Sequence, residues 1–347
     1  SAAWIEFFMV KANESSPRPS GIKQHSTDRK RRGHSVASKK FKRTQQQQAP
    51  AVIFGVDFSG AADAGKKILV AECTLKIAGR GAGHATWVLS VLQVRPAAAL
   101  PGGGLAPEQA TAALCAELQG KARGDCELIV GIDSPPSIAA QFVKSSKWQT
   151  WAMQFSRNFP TPESFRKATS ILSRGKGART EPKRETDIRH KTPFPPQNLR
   201  MYKQTWWAIH GVYAPLASSG FTVVPCMKIL PKKPIIFEAC PASLLKRLGL
   251  YSVPYKGSKA EHSKRRQYLI RQLKRGIPVG GSNDATLCVE FGDGDLPPKL
   301  VSDSGADSLD AVLAAVGGAC ATRRADFPAP DDGEMLDIYK TEACVYC

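Results

Sequence analysis

Short apolar runs that end in an acidic residue recur along this chain and predict the strands of an α/β core. Residues 52–56 lead into Asp57, and residues 128–132 lead into Asp133. Aliphatic and β-branched runs of this length, bounded by small residues or by proline, are typical of buried strands. We therefore expect two strands that each carry one carboxylate to their carboxyl-terminal end.

The segment between these strands predicts how they are connected. Residues 67–75 and 86–94 are two further β-runs with short connections, which predicts an antiparallel meander with the first strand. A helix is expected from Pro107, because proline favours the first helical position. The strand after this helical crossover should lie parallel to the first. That arrangement would bring Asp57 and Asp133 to one edge of the sheet, where open α/β sheets keep their sites.

A second group of acids comes from the carboxyl-terminal part of the chain. The apolar run 235–237 ends in Glu238. An amphipathic helix is expected to begin near Asp307, because apolar residues recur after it three and four positions apart. Asp310 follows three residues later, so both aspartates share one face of this helix. The helix dipole favours carboxylates at its amino terminus. One of the two could be only a cap, but a pair on one face weakens that interpretation.

Residues 134–220 are irregular and basic, and they are expected to form an insertion in the domain. Trp148, Trp151 and Phe155 recur at helical spacing, which is more typical of a core than of a base-stacking surface. Residues 173–192 mix Gly, Arg, Lys and Thr and predict a mobile loop.

A basic helix is predicted ahead of the acidic one. Residues 258–261 (SKAE) form a capping box, which predicts a helix that runs to Gly276. Residues 278–303 have no clear periodicity and are expected to be loop. The helix surface would suit a phosphate backbone or would simply be a solvated face. Its cations are Lys264, Arg265, Arg266, Arg271, Lys274 and Arg275.

Charge is distributed unevenly, and this changes the range of partners. The net charge is +19, and residues 144–276 carry 27 Lys and Arg against 6 Asp and Glu. Such an excess favours a polyanionic partner, with a solvated basic surface as the alternative. Residues 1–50 are poor in apolar residues and predict a disordered basic tail. Its two basic clusters would serve as a nuclear-import signal or as an arm on nucleic acid.

Cysteine usage and hydropathy predict where the protein is found. The nine cysteines are scattered and several lie within apolar runs, which predicts free thiols in a reducing, intracellular compartment. No apolar run reaches the ~20 residues of a membrane helix, so we expect no membrane partner. The expected location is cytoplasmic, or nuclear if the tail acts as an import signal. The oligomeric state is not predicted.

The order of these elements resembles the ribonuclease H-like superfamily. The chain order is a strand with Asp, two antiparallel strands, a helix, a second strand with Asp, and a late helix with Asp-x-x-Asp-Ala. More specifically, the motifs are similar to DUF429, a family of predicted nucleases with that fold. The similar motifs are GVDFSGA at 55–61, GIDSP at 131–135, EACPASLLKRLG at 238–249, DSLDA at 307–311 and the closing segment 339–346. The resemblance spans residues 52–347 and leaves out the tail.

The resemblance implies an α/β domain over residues 51–347 with a ribonuclease H-like mixed sheet of five strands, flanked by helices. It also implies a nuclease that cleaves phosphodiester bonds of DNA or RNA with two Mg²⁺ or Mn²⁺ ions. The implied catalytic acids are Asp57, Asp133, Glu238 and Asp310. The implied metal ligands are Asp57, Asp133, Asp307 and Asp310, with Glu342 and Asp187 as weaker supporting candidates. The nucleic-acid-binding candidates are Lys66, Lys67, Lys264, Arg265, Arg266 and Arg271.

Two other classes of function stay open. Actin-like ATPases and sugar kinases share this fold, and the residues from Asp57 to Lys67 would suit their phosphate-binding first hairpin. Against ATP-dependent phosphotransfer, the chain has no second phosphate loop of the Asp-Gly-Thr type. A non-catalytic nucleic-acid-binding protein on the same fold is the third class.

Overall fold

A mixed β-sheet is the centre of the protein, as seen in a computed structural model that describes residues 50–81, 84–124, 126–172, 179–190, 192, 194–279, 284–329 and 336–346. The tail predicted over residues 1–50 lies outside these described residues, apart from Pro50. The strands are β1 Ala51–Asp57, β2 Leu69–Gly81, β3 His84–Pro96, β4 Leu128–Asp133, β5 Ile171–Leu172, β6 Arg179–Thr180, β7 Thr222–Val223, β8 Ile235–Ala239, β9 Ile277–Pro278, β10 Ala285–Phe291 and β11 Val345–Tyr346.

Helices cover both faces of the sheet. They are α1 Ala64–Lys67, α2 Pro107–Ala122, α3 Trp148–Asn158, α4 Pro162–Thr169, α5 Glu185–Arg189, α6 Tyr202–Ala208, α7 Ala214–Ser218, α8 Pro241–Arg247, α9 Ala260–Arg275, α10 Leu296–Ser302, α11 Asp307–Arg323 and α12 Tyr339–Glu342. A π-helical turn, Ile209–Tyr213, joins α6 to α7. Among the residues that the structure describes, no helix has both the length and the apolar character of a membrane span.

Within the described residues, the sheet has nine strands in the order β11-β8-β4-β1-β2-β3-β10-β9, with β7 also paired to β8. The antiparallel meander of β1, β2 and β3 is confirmed. The parallel pairing of β1 with β4 is also confirmed. The expected number of five strands is too low. Three of the four additional strands, β7, β9 and β11, have two residues each, which is too short for any periodic signal; the fourth, β10, has seven.

Two predictions in the carboxyl-terminal half are wrong. Residues 278–303, expected to be loop, contain β10 and α10. The capping box at 258–261 does not form either, because Lys259 is the N-cap of α9 and no side chain caps that helix. Short elements that are stabilised by packing against distant parts of the chain give little local signal. The start of α9 is set by the path of the preceding loop and not by the capping residues.

Glycine and alanine determine how closely α11 approaches the sheet. A Cβ atom on Gly55 would lie 2.1 Å from the carbonyl oxygen of Ala311, and one on Gly131 would lie 2.7 Å from that of Ala314. Larger side chains at these strand positions would push the helix away. The small residues therefore hold the amino-terminal turn of α11 over the ends of β1 and β4.

The opposite face of the sheet is covered by a core rich in aromatic side chains. Trp148, Trp151 and Phe155 are all buried there, so the expectation that they belong to a core is confirmed. The rings of Trp151 and Phe155 meet edge to face with centroids 5.3 Å apart. Such rings bury large apolar areas and leave no flat surface for nucleic-acid bases.

Candidate functional site

Three carboxylates converge at the carboxyl-terminal edge of the sheet. Asp57 ends β1, Asp133 ends β4, and the two are direct partners in the parallel register. Asp310 lies in the first turn of α11 above them. One oxygen from each carboxylate lies within 4.8 Å of the others. We call these three residues the carboxylate cluster; the structure brings them together as the strand pattern and helix pattern predict.

Burial and mutual repulsion make the cluster electrostatically unfavourable without a cation. Burial, followed by the charges of Asp310 and Asp133, raises the pKa of Asp57 well above its ordinary value. Burial and the charge of Asp310 raise the pKa of Asp133 to about 8. Burial also raises the pKa of Asp310, although the Lys256 ammonium opposes this change. Like charges in a poorly solvated site favour protonation, and a bound cation would reverse that preference.

Tyr255 and Lys256 contact the cluster, and neither was predicted from the sequence. The Tyr255 hydroxyl donates to Oδ1 of Asp310 at 2.7 Å, and the Lys256 Nζ lies 2.5 Å from Oδ2 of the same carboxylate. Both residues lie in the loop between α8 and α9, which has no periodic pattern. The only local signal is Gly257, which has a φ of +132° and allows the backbone to turn.

Arg266 was predicted to bind nucleic acid, and that prediction is wrong. Its side chain is buried, and its guanidinium donates to the backbone carbonyls of Tyr255, Gly257 and Val301. It therefore anchors the loop that carries Lys256. Sequence reasoning missed this because α9 is basic on several sides, and its pattern does not indicate which cation faces inward.

The other predicted cations lie on the surface or near it. Lys66 and Lys67 are exposed, and Lys67 pairs with Asp63 at 3.3 Å. On α9, Lys264 and Arg271 are exposed, whereas Arg265 stacks over the Tyr268 ring at 4.5 Å and donates to the Leu250 carbonyl.

Glu238 is not part of the carboxylate cluster. Its neighbours Phe237 and Ala239 pack on the side of α11, while Ile236 packs in the opposite core. Because side chains alternate along a strand, Glu238 faces away from α11. There it accepts two hydrogen bonds from Arg184, at 2.7 and 3.0 Å. An uninterrupted apolar run hides this alternation, which explains why the sequence placed Glu238 with the aspartates.

Arg184, Asp187, Glu238 and Glu342 form a second charged group, which we call the arginine cluster. Arg184 also binds both oxygens of Asp187, with contacts of 2.8 to 3.1 Å. Glu342 accepts from the backbone N–H groups of Ala140 and Glu185 at 2.6 and 2.7 Å. Arg184 and Asp187 are buried, so the mobile loop predicted over residues 173–192 is wrong for this part of the segment.

A cleft of about 380 Å³ opens beside the carboxylate cluster. Apolar groups line it, among them Phe58, Phe194 and Met201, together with three lysines and three members of the arginine cluster: Lys67, Lys246, Lys256, Arg184, Asp187 and Glu238. Asp307 also lines the cleft and is half-buried, but it stands outside the cluster itself. Of the cations on α9, none lines the cleft within the described part of the chain.

Ser134 is an unusual feature of the cleft wall. Its side chain is 1% exposed, and its hydroxyl has no hydrogen-bond partner within the described ranges. Buried hydroxyls in proteins almost always have a partner, so an unpartnered one beside Asp133 indicates space for a ligand atom or water.

The donors in this cleft fit a hard divalent cation. All three cluster members offer carboxylate oxygens, which are the ligands that Mg²⁺ and Mn²⁺ prefer. No histidine or cysteine joins them in the part of the chain that the structure describes. The cluster can therefore hold a metal ion.

The chain was compared with known proteins. No family model, no curated protein and no solved structure matches it. The resemblance to DUF429 nucleases therefore stays a prediction that depends on the motifs alone.

Proposed function

We propose that this protein is a divalent-metal-dependent nuclease that hydrolyses phosphodiester bonds. The observation that carries the proposal is the convergence of Asp57, Asp133 and Asp310 within 4.8 Å at the carboxyl-terminal edge of the sheet. Three carboxylates this close together, one buried and two half-buried, are costly unless a cation or a set of donors compensates them. Such an arrangement is typical of functional sites.

A ribonuclease H-like assignment is supported by the path of the chain. The strands β3-β2-β1-β4-β8 are consecutive neighbours in the sheet, and α11 packs across β1 and β4. This order agrees with the order of elements that the resemblance implies. The strands outside this set extend the sheet at its two edges.

The chemistry follows from the ligands. A bound Mg²⁺ or Mn²⁺ would lower the pKa of a coordinated water and polarise a phosphoryl oxygen. Asp57 on the central strand and Asp133 beside it would hold the ion, and Asp310 would close the site from the helix. The resemblance implies a pair of such ions. Lys67 and Lys246 at the cleft would attract the phosphate of an approaching strand.

Nucleic acid is the substrate class that charge favours. Residues 144–276 contain 27 Lys and Arg against 6 Asp and Glu, and this segment supplies Lys246 and Lys256 to the cleft. A surface with that excess attracts a polyanion over a long range. Neutral or cationic substrates would gain nothing from it.

The proposal is tested with labelled single- and double-stranded DNA and RNA incubated with the full chain and Mg²⁺ or Mn²⁺. We expect metal-dependent cleavage that Asp57→Asn reduces by about 10³-fold or more. Asp337→Asn is the matched control, because that carboxylate is on the surface and pairs with Lys340 at 2.7 Å.

The outcomes separate the three classes of function. Absence of metal-dependent cleavage on every substrate would overturn the nuclease proposal. ATP turnover that requires Asp57 would support phosphotransfer instead. Nucleic-acid binding that persists in Asp57→Asn, without cleavage by either protein, would identify a binding protein.

A further inference from the structure

Lys256 differs from the other lysines of the cleft because it contacts the carboxylate cluster directly. Its Nζ lies 2.5 Å from Oδ2 of Asp310, while the Tyr255 hydroxyl occupies Oδ1 at 2.7 Å. Both oxygens of Asp310 are thus already engaged. Asp57 and Asp133, by contrast, accept no side-chain hydrogen bond from any residue within the described ranges, so their oxygens are the ones left for a cation.

The loop that carries Lys256 is held in place by the buried side chain of Arg266. Arg266 donates to the carbonyl of Tyr255 at 2.6 Å and to that of Gly257 at 3.0 Å, so it binds on both sides of Lys256. The N–H of Gly257 donates to the Ser304 carbonyl at 2.7 Å, which ties the loop to the segment preceding α11. A buried guanidinium with several carbonyl partners holds a backbone firmly. Lys256 is therefore presented to Asp310 by a braced loop.

Charge balance limits how many ions the site holds. Three ionised carboxylates carry three negative charges, and the Lys256 ammonium compensates one of them. A single divalent ion between Asp57 and Asp133 compensates the other two. A second divalent ion would leave an excess of two positive charges and would compete with an ammonium already bonded to Asp310, which is unfavourable at a poorly solvated site.

We propose that Lys256 takes the place of the second metal ion, so that the site binds one divalent cation through Asp57 and Asp133 and keeps its second positive centre as a lysine. This inference rests on the proposed metal-dependent function. It replaces the two metal ions that the resemblance implies by one metal ion and the ammonium group of Lys256. The buried, unpartnered hydroxyl of Ser134 belongs to the wall of the same cleft as Asp57 and Asp133, which supports a ligand there.

The test counts ions without any activity measurement. Mn²⁺ is titrated into the full chain by calorimetry at pH 8, and Asp57→Asn sets the background from other acidic surfaces. We expect one equivalent above background for the wild type and two for Lys256→Met. Lys256→Arg, which keeps the charge, should remain at one equivalent.

The matched control is Lys259→Met. Lys259 lies three residues further along the chain, but its side chain is exposed and, among the described residues, forms its ion pair with Glu261 at 3.7 Å. It should bind one equivalent, as the wild type does. Near-ultraviolet circular dichroism checks that each variant is folded, and the wild-type count alone tests the inference if Lys256→Met does not fold.

The results distinguish this inference from the proposed function. Two equivalents in the wild type, or one in both the wild type and Lys256→Met, would overturn the role of Lys256 and leave a metal-dependent nuclease intact. No binding above the Asp57→Asn background would overturn the metal site, and the proposed function with it.

Discussion

Two charged clusters lie on either side of the same strand ends, and they differ in how completely hydrogen bonds satisfy their carboxylates. In the arginine cluster, one guanidinium forks between Asp187 and Glu238, and Glu342 accepts from two backbone N–H groups. In the carboxylate cluster, three aspartates share one ammonium group, and two of the three accept no side-chain hydrogen bond within the described ranges. All four residues of the arginine cluster are buried, whereas Asp57 and Asp133 are half-buried and only Asp310 is fully enclosed.

The comparison separates a structural role from a functional one. Satisfied buried charges hold segments together, since breaking one partner leaves the other uncompensated. The arginine cluster joins α5, β8 and α12, which are far apart in the chain. Each cluster sets one cation against three carboxylates, but only the carboxylate cluster has two carboxylates that accept no side-chain hydrogen bond within the described ranges, which is a condition that a ligand relieves. The incomplete cluster is therefore the better candidate for chemistry.

The largest effect should come from removing the guanidinium of the arginine cluster. Arg184→Met leaves Asp187 and Glu238 buried without their partner, and we expect the free energy of unfolding to fall by about 3–5 kcal/mol. Urea denaturation at pH 7 measures it. The triple variant with Asp187→Asn and Glu238→Gln should recover part of the loss. A decrease below about 1 kcal/mol for Arg184→Met would contradict the structural role of this cluster.

The stability of the protein should depend on pH and on divalent metal through the carboxylate cluster. The pKa of Asp133 is raised by burial from 3.8 to about 8 in the folded protein, so between these pH values the folded state holds a proton that the unfolded state has lost. The free energy of unfolding without metal should therefore fall as the pH rises from 4 to 8.

Divalent metal should reverse that loss, because the ion replaces the proton. A Mg²⁺ concentration one hundredfold above the dissociation constant at pH 8, used at both pH values, should stabilise the folded state at pH 8 by about 2.7 kcal/mol. The gain should be larger at pH 8 than at pH 5. Urea denaturation at both pH values, with Mg²⁺ or with EDTA, measures it. An equal gain at both values would show that no buried carboxylate exchanges a proton for the ion.

The smallest effect has the opposite sign from a usual core substitution. Asp57→Asn removes one of three repelling carboxylates, so the metal-free protein at pH 8 should become more stable by about 1–2 kcal/mol. Asp337→Asn, on the surface, should change stability by less than about 0.5 kcal/mol. Destabilisation by Asp57→Asn in EDTA would mean that the cluster is internally compensated.

Sequence reasoning succeeded where function depends on regular elements. The strands that end in Asp57 and Asp133 were predicted from local patterns, and their parallel pairing followed from the crossover rule. Asp310 followed from its position in the first turn of an amphipathic helix. These predictions needed only local periodicity and a general rule for how strands are connected.

It failed where a contact depends on an irregular segment. Arg184, Tyr255 and Lys256 come from stretches without periodicity, and they contact distant partners. Glu238 lies 54 positions after Arg184, and Asp310 lies 55 positions after Tyr255. Arg266 failed for a related reason, since a helix that is basic on several sides does not reveal its buried face.

The sequence by itself determined which acids reach the edge of the sheet, because strand and helix periodicity specify the positions of Asp57, Asp133 and Asp310. Only the tertiary structure decided which positive charge meets which acid. That choice depends on how the loop before α9 and the segment before α5 pack against the sheet, and loop paths follow long-range packing rather than local pattern. The structure thereby placed Arg184 with Glu238 and Lys256 with Asp310.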